Sequence, residues 1–355
     1  MSTPFVTVLI DTYNHQLFIE DAINSVLKQD FPSSETEILV VDDGSTDNTP
    51  KIARKFTPRV RLLRRVNGGQ AAAFNTGIPE AQGEIVAFLD GDDWWAPGKL
   101  TAVTGAFIAN ADVGLVGHGI TEVRLDGRQL TEVPREVSRF RIASPRDART
   151  FRMQRGFLGT SRMAYRREIL SRIGSVPEAI RFEADEYLFT LAGFFADVMI
   201  LRESLTFYRV HDTNLFQLTS GDEQAIRRKH QVLAALAQSL EDKLKQIEVP
   251  SEIARTILEC VEVEADVLRL MVDRGFPLET IRTELRIMRV FHSDVSFWQH
   301  LFSCLRLIPA VMLPSNTYYR WRRRLSVLTL YQEFRRKLLP FPVPSQVEQR
   351  EKLAP

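Results

Sequence analysis

The chain has 355 residues, of which 44% are hydrophobic and 26% are charged. This composition allows a large buried core and excludes a disordered tail, a coiled coil and a disulfide scaffold. Lysine and arginine number 46 against 45 acidic residues, a net charge of +1, which argues against nucleic acid binding driven by bulk positive charge. We therefore expect no nucleic acid partner.

The sequence lacks the patterns of a zinc site, a secretory signal or a membrane span. Cys260 and Cys304 are the only cysteines, and neither has a Cys or His neighbour at metal-ligand spacing. The first residues have no basic region followed by an apolar one, and no apolar run reaches the roughly 18–20 residues of a spanning helix. These features favour a protein of the reducing cytoplasm.

The N-terminal part alternates short apolar strands with helices. Strands are predicted at 5–10, 38–41, 60–63 and 84–89, and helices at 18–27, from Thr49-Pro50 onward and at 71–78. Since crossover helices join parallel strands, this order predicts an α/β fold with a mostly parallel sheet flanked by helices on both faces. Ligands bind such sheets at the carboxyl ends of the strands, where acidic clusters occur at 42–43 and 90–93.

The rest of the chain divides into a mixed part and a helical part. In the mixed part, strands are predicted at 113–117, 119–125, 198–201 and 206–210, helices at 164–173 and 187–195, and a loop-rich stretch at 126–150. Long amphipathic helices follow at 225–247, 252–272 and 278–290. We predict two domains, 1–220 and a helical C-terminal region 221–355.

Near its C-terminus the chain combines apolar residues at 297–313 with basic clusters at 320–324 and 335–337. Such a combination is typical of surfaces that rest on an anionic leaflet. A helical subdomain with solvated arginines has the same pattern. Both interpretations stay open.

The turn Asp90-Gly91-Asp92-Asp93 carries the strongest chemical signal. Three carboxylates within four residues repel one another unless a cation or a hydrogen-bond network neutralises them. Oxygen ligands favour Mg²⁺ or Mn²⁺, which bind through one or two carboxylates and through substrate phosphates. The alternative is an acidic turn in which one aspartate caps the helix near Pro97.

A second acidic turn, Asp42-Asp43-Gly44-Ser45, follows the neighbouring strand. A carboxylate there is suited to accept a proton from a nucleobase imide, and Tyr13 is suited to stack on the base, although Asp-Gly is also a common turn dipeptide. The loop Asn67-Gly68-Gly69-Gln70 permits close backbone approach but matches neither the phosphate-loop nor the dinucleotide pattern. This argues against kinases, GTPases and dehydrogenases.

Together these motifs resemble those of the family-2 glycosyltransferases, inverting enzymes with a GT-A fold. The resemblance is dense over residues 5–100 and looser to about 216. It rests on Val6-Thr7-Val8-Leu9-Ile10, Thr12-Tyr13-Asn14, Val40-Val41-Asp42-Asp43-Gly44-Ser45, Asn67-Gly68-Gly69, Asn75-Thr76-Gly77 and Phe88-Leu89-Asp90-Gly91-Asp92-Asp93.

The resemblance implies which residues bind the nucleotide and the metal. Asp90 and Asp92 correspond to the two carboxylates of the D-x-D motif, and Asp92 is the expected direct metal ligand. The expected nucleotide-binding residues are Thr12, Tyr13, Asp43, Asn67 and Asp90, with Asp43 reading the base. Two positions depart from the family: Asp11 stands where relatives commonly carry Pro or Thr, and Phe74 stands where many carry Arg.

The resemblance also implies a general base at the start of a later helix. Relatives carry a Glu-Asp pair there, which in this chain is interrupted within Phe182-Glu183-Ala184-Asp185-Glu186-Tyr187. We predict Asp185 as the base, with Glu183 and Glu186 as rivals, since acids at a helix N-terminus also compensate the helix dipole.

Two further segments match the family more weakly. Tyr208-Arg209-Val210-His211-Asp212-Thr213-Asn214 resembles a stretch whose histidine reaches the metal or the diphosphate, so His211 is a second expected metal ligand. Gly159-Thr160-Ser161 fits an acceptor-side loop.

The resemblance implies an inverting, metal-dependent hexosyltransferase that uses Mn²⁺ or Mg²⁺ and a nucleotide-diphosphate sugar, first of all a UDP-sugar. The expected acceptor is a glycan or lipid-linked hydroxyl in cell-envelope polysaccharide or glycolipid synthesis, and the expected location is the cytoplasm, with peripheral contact at the inner face of the membrane left open. The helical region is expected to recognise the acceptor, form a homo-oligomer or hold the enzyme near a lipid. The alternatives are a nucleotidyltransferase and a non-catalytic sugar-nucleotide-binding scaffold.

Overall fold

The computed structural model describes residues 5–211, 214, 223–273, 275–291 and 307–327. The chain divides into two compact units, the first formed by Met1–Ile142 and Phe157–Asp212, and the second by Ala143–Gly156 and Thr213–Pro355. Residues 143–156 lie in the predicted first domain but group with the second unit. The domain boundary at 220 stays a prediction.

The first unit is a sheet with its crossover helices. Its strands are β1 (Val6–Thr12), β2 (Thr36–Asp42), β3 (Arg61–Arg64), β4 (Ile85–Asp90), β5 (Trp94–Trp95), β6 (Val113–Arg124), β7 (Gln129–Glu132), β8 (Ser138–Phe140), β9 (Ala164–Arg166) and β10 (Asp197–Val210). Its helices are α1 (Ile19–Leu27), α2 (Thr49–Arg54), α3 (Gln70–Gly77), α4 (Lys99–Ala109), α6 (Arg167–Ile173) and α7 (Ala184–Phe195), whereas α5 (Pro145–Gln154) belongs to the second unit.

The strand order is β3-β2-β1-β4-β9-β6-β10-β5, with β7 on β6 and β8 on β10. Strands β3, β2, β1 and β4 are parallel neighbours, β6 and β10 are parallel, and β9 is antiparallel to both β4 and β6. This arrangement confirms the predicted α/β class with a mostly parallel sheet.

Successive side chains of β1 point to opposite faces of the sheet, so this apolar strand contributes to the packing on both faces. Val8 and Ile10 join Ile23 of α1 and Val103 of α4 in one buried core. On the opposite face, an added Cβ at Gly77 of α3 would lie 2.6 Å from a Leu9 methyl group. The apolar strand therefore packs helices on either side.

Several predicted elements are corrected. Residues 164–173 begin as β9 and only then become helical, and residues 126–150 contain β7, β8 and the start of α5 rather than mainly loop. Residues 113–124 form a single strand, as do 197–210, where two strands each were predicted. In these long strands polar residues interrupt the apolar run, and bulges shift the register of pairing between β6 and β10 without ending either strand.

The described part of the second unit is helical, as predicted. It contains α5, α8 (Glu223–Gln246), α9 (Ser251–Val272), α10 (Pro277–Phe291), α11 (Leu307–Met312) and α12 (Ser315–Val327). Leu236, Leu240 and Leu244 of α8 and Ile257 and Val261 of α9 are buried, which is the apolar stripe that the sequence pattern requires. Across the described residues, none of these helices combines the length and the apolar character needed to span a membrane.

Candidate active site

Parallel pairing brings the predicted polar residues to one edge of the sheet. In register, Thr12 of β1 lies opposite Asp42 of β2, and Asp11 of β1 lies opposite Asp90 of β4. Thr12, Asp42 and Asp90 are the last residues of their strands and Asp11 is the last but one, so these side chains and the turns that follow meet where ligands of such sheets bind.

The Asp43 carboxylate organises the loop that faces it. Its Oδ1 accepts from Arg65 Nη1 at 3.0 Å and from the Gly68 amide at 3.0 Å. Its Oδ2 accepts from Asn67 Nδ2 at 3.0 Å and from the Gly69 amide at 2.7 Å. Because each oxygen already has two donors, Asp43 fixes this loop, and its contact with a nucleobase stays a prediction.

Thr12 and Tyr13 differ in accessibility. Thr12 is buried, and its hydroxyl lies 3.2 Å from His15 Nδ1. Tyr13 is 42% exposed, as a ring that stacks on a bound base must be. An added Cβ at Gly91 would lie only 2.5 Å from the Thr12 hydroxyl, so the close approach of these two turns requires glycine.

In the D-x-D turn, Asp90 and Asp93 are held by Ser161. The Ser161 hydroxyl lies 2.6 Å from Asp93 Oδ2 and 3.1 Å from Asp90 Oδ2. Burial, followed by the charges of Asp11 and the neighbouring aspartates, raises the pKa of Asp90 well above its usual value. Burial and the charge of Asp92 likewise raise the pKa of Asp93 to about 8.

Asp92 differs from its neighbours because histidines flank it. His211 Nε2 lies 3.0 Å from Asp92 Oδ2, and His15 Nε2 lies 3.7 Å from the same oxygen. Burial alone would raise the pKa of Asp92, but the two histidines and their hydrogen bonding hold it below its usual value. Asp92 is thus the carboxylate of this turn best suited to remain ionised.

Asp185 lies in the first turn of α7, and its carboxylate is turned towards Thr160. Its Oδ2 accepts from the Thr160 amide at 3.1 Å and from the Thr160 hydroxyl at 3.3 Å. Burial and the charge of Glu186 raise the pKa of Asp185, which favours a group able to take up a proton. Its rival Glu183 precedes the helix at φ +64°, and Glu186 is also buried.

Gln70, to which the sequence analysis assigned no role, links these groups. Its Nε2 lies 3.0 Å from the Thr160 hydroxyl and 3.5 Å from Asp90 Oδ1, and its Oε1 accepts from the Ala184 amide at 3.0 Å. Gln70 therefore connects the D-x-D side of the site to the start of α7.

His15 and Arg209 also belong to the site, although the sequence motifs assign no role to either residue. Arg209 donates from Nε to the Asp92 carbonyl oxygen at 3.0 Å, and its amide donates to Asp93 Oδ1 at 2.9 Å. Its guanidinium lies 4.5 Å from the centre of the Trp94 ring. One weak sequence signal pointed to His15. It lies three residues after the end of β1, which was expected to meet the end of β4 and its acidic turn.

The residues around Asp92 suit a divalent ion that takes few protein ligands. Within the described residues, no group of three or more His, Cys, Asp or Glu side chains is arranged to hold one. The donor set nevertheless fits an ion that takes one or two protein ligands, because Asp92 stays ionised beside carboxylates that raise one another's pKa. Asp11 Oδ1 is also buried without a hydrogen-bond partner in the structure.

The mostly parallel sheet, with acidic turns after β2 and β4, has the GT-A type of fold. Residues 7–174, somewhat less than half of the chain, match the family model described as glycosyl transferase family 2. The resemblance found in the sequence is thereby confirmed.

Curated glycosyltransferases are similar in sequence to part of this chain. An uncharacterized glycosyltransferase of Nostoc sp. is 34% identical over 218 residues, which cover 59% of this chain and 66% of that protein. The match thus falls just short of two thirds of that relative's length.

Two solved structures share the fold. Staphylococcus aureus TarS 1-349 in complex with UDP-GlcNAc has a TM-score of 0.50 at 19% identity, over 81% of this chain and 89% of that one. The mannosyltransferase PcManGT of Pyrobaculum calidifontis, in complex with GDP-Man and Mn²⁺, has a TM-score of 0.52 at 20% identity, over 94% and 84%. By sequence, 92 residues are 40% identical to TarS, a poly(ribitol-phosphate) β-N-acetylglucosaminyltransferase, and cover 25% of this chain and 16% of that protein.

Proposed function

We propose that the chain is an inverting glycosyltransferase that moves a sugar from a nucleotide-diphosphate sugar, first of all a UDP-sugar, to an acceptor hydroxyl. The observation that carries this proposal is the convergence of Asp90, Asp92 and Asp185 at one edge of a family-2 sheet. The bound UDP-GlcNAc and GDP-Man of the two structural neighbours support a nucleotide sugar as donor.

The mechanism follows from the placement of charge. The acceptor oxygen attacks the anomeric carbon while its proton passes to Asp185, and the bond from that carbon to the diphosphate breaks with its electron pair on the leaving oxygen. A single displacement inverts the anomeric configuration. Burial, which raises the pKa of Asp185, strengthens it as a base towards a hydroxyl.

The ion of this proposal is Mn²⁺ or Mg²⁺. Asp92 and His211 would hold it, and the ion would supply positive charge to the departing diphosphate. We propose that Asp90, which accepts from the Ser161 hydroxyl, contacts the nucleotide side of the donor, and that Thr12, Tyr13, Asp43 and Asn67 surround the base and ribose.

We propose cell-envelope polysaccharide or glycolipid synthesis as the setting, on the cytoplasmic side of the membrane, where a glycan or lipid-linked acceptor meets the donor. The poly(ribitol-phosphate) acceptor in the name of TarS supports a polymer acceptor. The helical second unit is proposed to recognise that acceptor, to form a homo-oligomer or to contact the membrane surface.

The proposal is tested by calorimetry with UDP, GDP, CDP and TDP, each with MnCl₂ and with EDTA. Release of the diphosphate from UDP-glucose, UDP-galactose, UDP-GlcNAc and GDP-mannose, with water as the acceptor, then measures turnover. We expect selective binding of one diphosphate that is lost in EDTA. Selective binding without release of any diphosphate would favour a non-catalytic sugar-nucleotide-binding scaffold, and absence of binding by all four would contradict the proposal.

Variants separate the two carboxylate roles. Asp92→Asn should abolish metal-dependent binding, whereas Asp185→Asn should keep binding and lose turnover by more than about a hundredfold. Asp112→Asn, at an exposed surface aspartate, is the matched control. Unchanged turnover of Asp185→Asn would show that the base is elsewhere, and Glu183→Gln and Glu186→Gln would then be compared.

A further inference from the structure

Two consecutive residues hold carboxylates with different proposed roles. The amide and hydroxyl of Thr160 both donate to Asp185. The Ser161 hydroxyl bonds Asp90 and Asp93, and the Asp90 amide donates back to Ser161 Oγ at 3.0 Å. The proposed base and two carboxylates of the D-x-D turn therefore depend on adjacent residues of one short segment.

Three buried side chains fix the backbone of this segment through the Ser161 carbonyl oxygen. The Ser161 carbonyl oxygen accepts from Lys99 Nζ at 2.6 Å, from Thr206 Oγ1 at 2.6 Å and from Trp95 Nε1 at 3.1 Å. Lys99 is fully buried, and burial lowers its pKa well below the usual value. Displacing the carbonyl would leave buried donors without this acceptor, so the segment resists movement.

Gln70, at the start of α3, also holds Thr160. Gln70 Nε2 donates to the Thr160 hydroxyl, which leaves the hydroxyl proton free to point at Asp185 Oδ2. The same Gln70 accepts from the Ala184 amide, one residue before Asp185. The position of Thr160 is thus tied to the start of the helix that carries the base.

We infer that Thr160 and Ser161 are paired positioning residues, with Thr160 orienting Asp185 towards the acceptor and Ser161 fixing Asp90 and Asp93 for the donor. This inference rests on the proposed function. Neither hydroxyl exchanges a proton with substrate. Each acts through the carboxylate that it bonds.

Because the two hydroxyls act on different carboxylates, their removal has separable effects. Thr160→Val removes the donor to Asp185 and leaves the D-x-D contacts in place, so the rate falls and nucleotide affinity is kept. Ser161→Ala removes the donor to Asp90 and Asp93, so nucleotide affinity falls first. A loss of general packing would change both quantities together.

The experiment uses the full chain with MnCl₂ and the nucleoside diphosphate, UDP or GDP, that the wild type binds. Calorimetry gives Kd, and diphosphate release from the matching nucleotide sugar at saturation gives kcat. For Thr160→Val we expect kcat about tenfold or more lower with Kd within about twofold, and for Ser161→Ala we expect Kd weaker by about tenfold, as for lost hydrogen bonds to charged groups.

Control variants exclude a merely structural effect. Thr160→Ser keeps the hydroxyl and should restore kcat. Thr104→Val removes a buried threonine hydroxyl that bonds only carbonyl oxygens of α4, and should change neither kcat nor Kd. If a primary variant fails to fold, Thr160→Ala takes the place of Thr160→Val, and Ser161→Cys, with a weaker donor, takes the place of Ser161→Ala.

Wild-type values for both variants, while Asp185→Asn is inactive and Asp92→Asn does not bind, would overturn the inference and leave the proposed function intact. Equal factors in kcat and Kd for each variant would also overturn it. If the wild type binds no diphosphate and releases none, the proposed function and the inference fall together.

Discussion

His211 Nε2 lies 3.0 Å from Asp92 Oδ2, although 119 residues separate the two in the chain. The contact joins the end of β10 to the turn after β4, and the ring of Phe18 lies 4.6 Å from the His211 ring. Together with His15, this hydrogen bond offsets the burial that would otherwise raise the pKa of Asp92. The turn thereby keeps one ionised carboxylate among neighbours that favour protonation.

Replacing His211 with alanine should therefore weaken Mn²⁺-dependent binding of the diphosphate by about tenfold, since a charge-assisted hydrogen bond to Asp92 is lost. Calorimetry with and without EDTA measures the effect. His230→Ala is the matched control, because its Nδ1 contacts only the Ala265 carbonyl oxygen in the second unit. Equal losses in both variants would contradict a role for His211 at the metal.

The pH dependence of turnover should reveal the raised pKa of Asp185. A base must be deprotonated, and burial and the charge of Glu186 raise the pKa of Asp185, whereas the hydrogen bond from the Thr160 amide opposes the rise. Below this pKa the rate should fall by about tenfold per pH unit, and the acid limb should lie at higher pH than for an ordinary aspartate near 3.9.

A profile of kcat against pH, measured with water as the acceptor, checks this expectation. Asp185→Asn should remove the limb along with the activity. A rate independent of pH down to the ordinary aspartate range would show that the proton passes to another group.

Asp93 should make the fold less stable as the pH rises. Its folded pKa is about 8 against an unfolded value of 3.8, so between these values the folded chain holds a proton that the unfolded chain releases. The contribution of Asp93 to the free energy of unfolding is therefore most favourable below the unfolded pKa, and it decreases as the pH rises to about 8. Asp93→Asn removes the ionisation.

We expect the Tm of Asp93→Asn to change less with pH than that of the wild type between pH 5 and 9, with both proteins in EDTA. Thermal unfolding followed by circular dichroism gives the comparison. Parallel curves for the two proteins would show that Asp93 is ionised in the fold over this range.

Gly69→Ala should impair the loop that Asp43 fixes. Gly69 has φ +89°, and an added Cβ would lie 2.3 Å from the Arg181 carbonyl oxygen. We expect a loss of about 1–3 kcal/mol in the free energy of unfolding and weaker diphosphate binding. In contrast, Gly105→Ala in α4 meets nothing within 4 Å and should stabilise the chain by about 0.5–1 kcal/mol.

Denaturant unfolding of both glycine variants measures the difference. Equal stability would show that the loop accommodates a side chain at position 69 by moving away from Arg181.

The fold class could be predicted from the sequence because the first four strands are short apolar runs separated by helices. The errors occur where this local pattern fails. Ala164 was assigned to a helix because the apolar residues after it have helical spacing, but pairing with Val116 and Ala87 makes it part of a strand. Neither partner is adjacent in sequence, so only the assembled sheet decides.

In the site, the family motifs located the acidic residues but not what holds them. Gln70 and Ser161 are ordinary polar residues in a loop-to-helix junction and a short turn, and their roles arise from contacts with residues 20 to 114 positions away. His15 lies two residues from Tyr13, yet its proximity to Asp92 depends on the pairing of β1 with β4. Tertiary contacts of this kind leave no local pattern.

Helix α5 makes the second unit discontinuous in sequence. Ala148, Phe151 and Arg152 of α5 are buried, and both Arg152 and Arg155 pair with Glu264 of α9. A fragment ending at residue 220 would retain α5 but lose α9, leaving this apolar and basic surface exposed. A chimera that exchanges the helical region between relatives must therefore transfer 143–156 as well, so that the two segments of the unit come from the same parent.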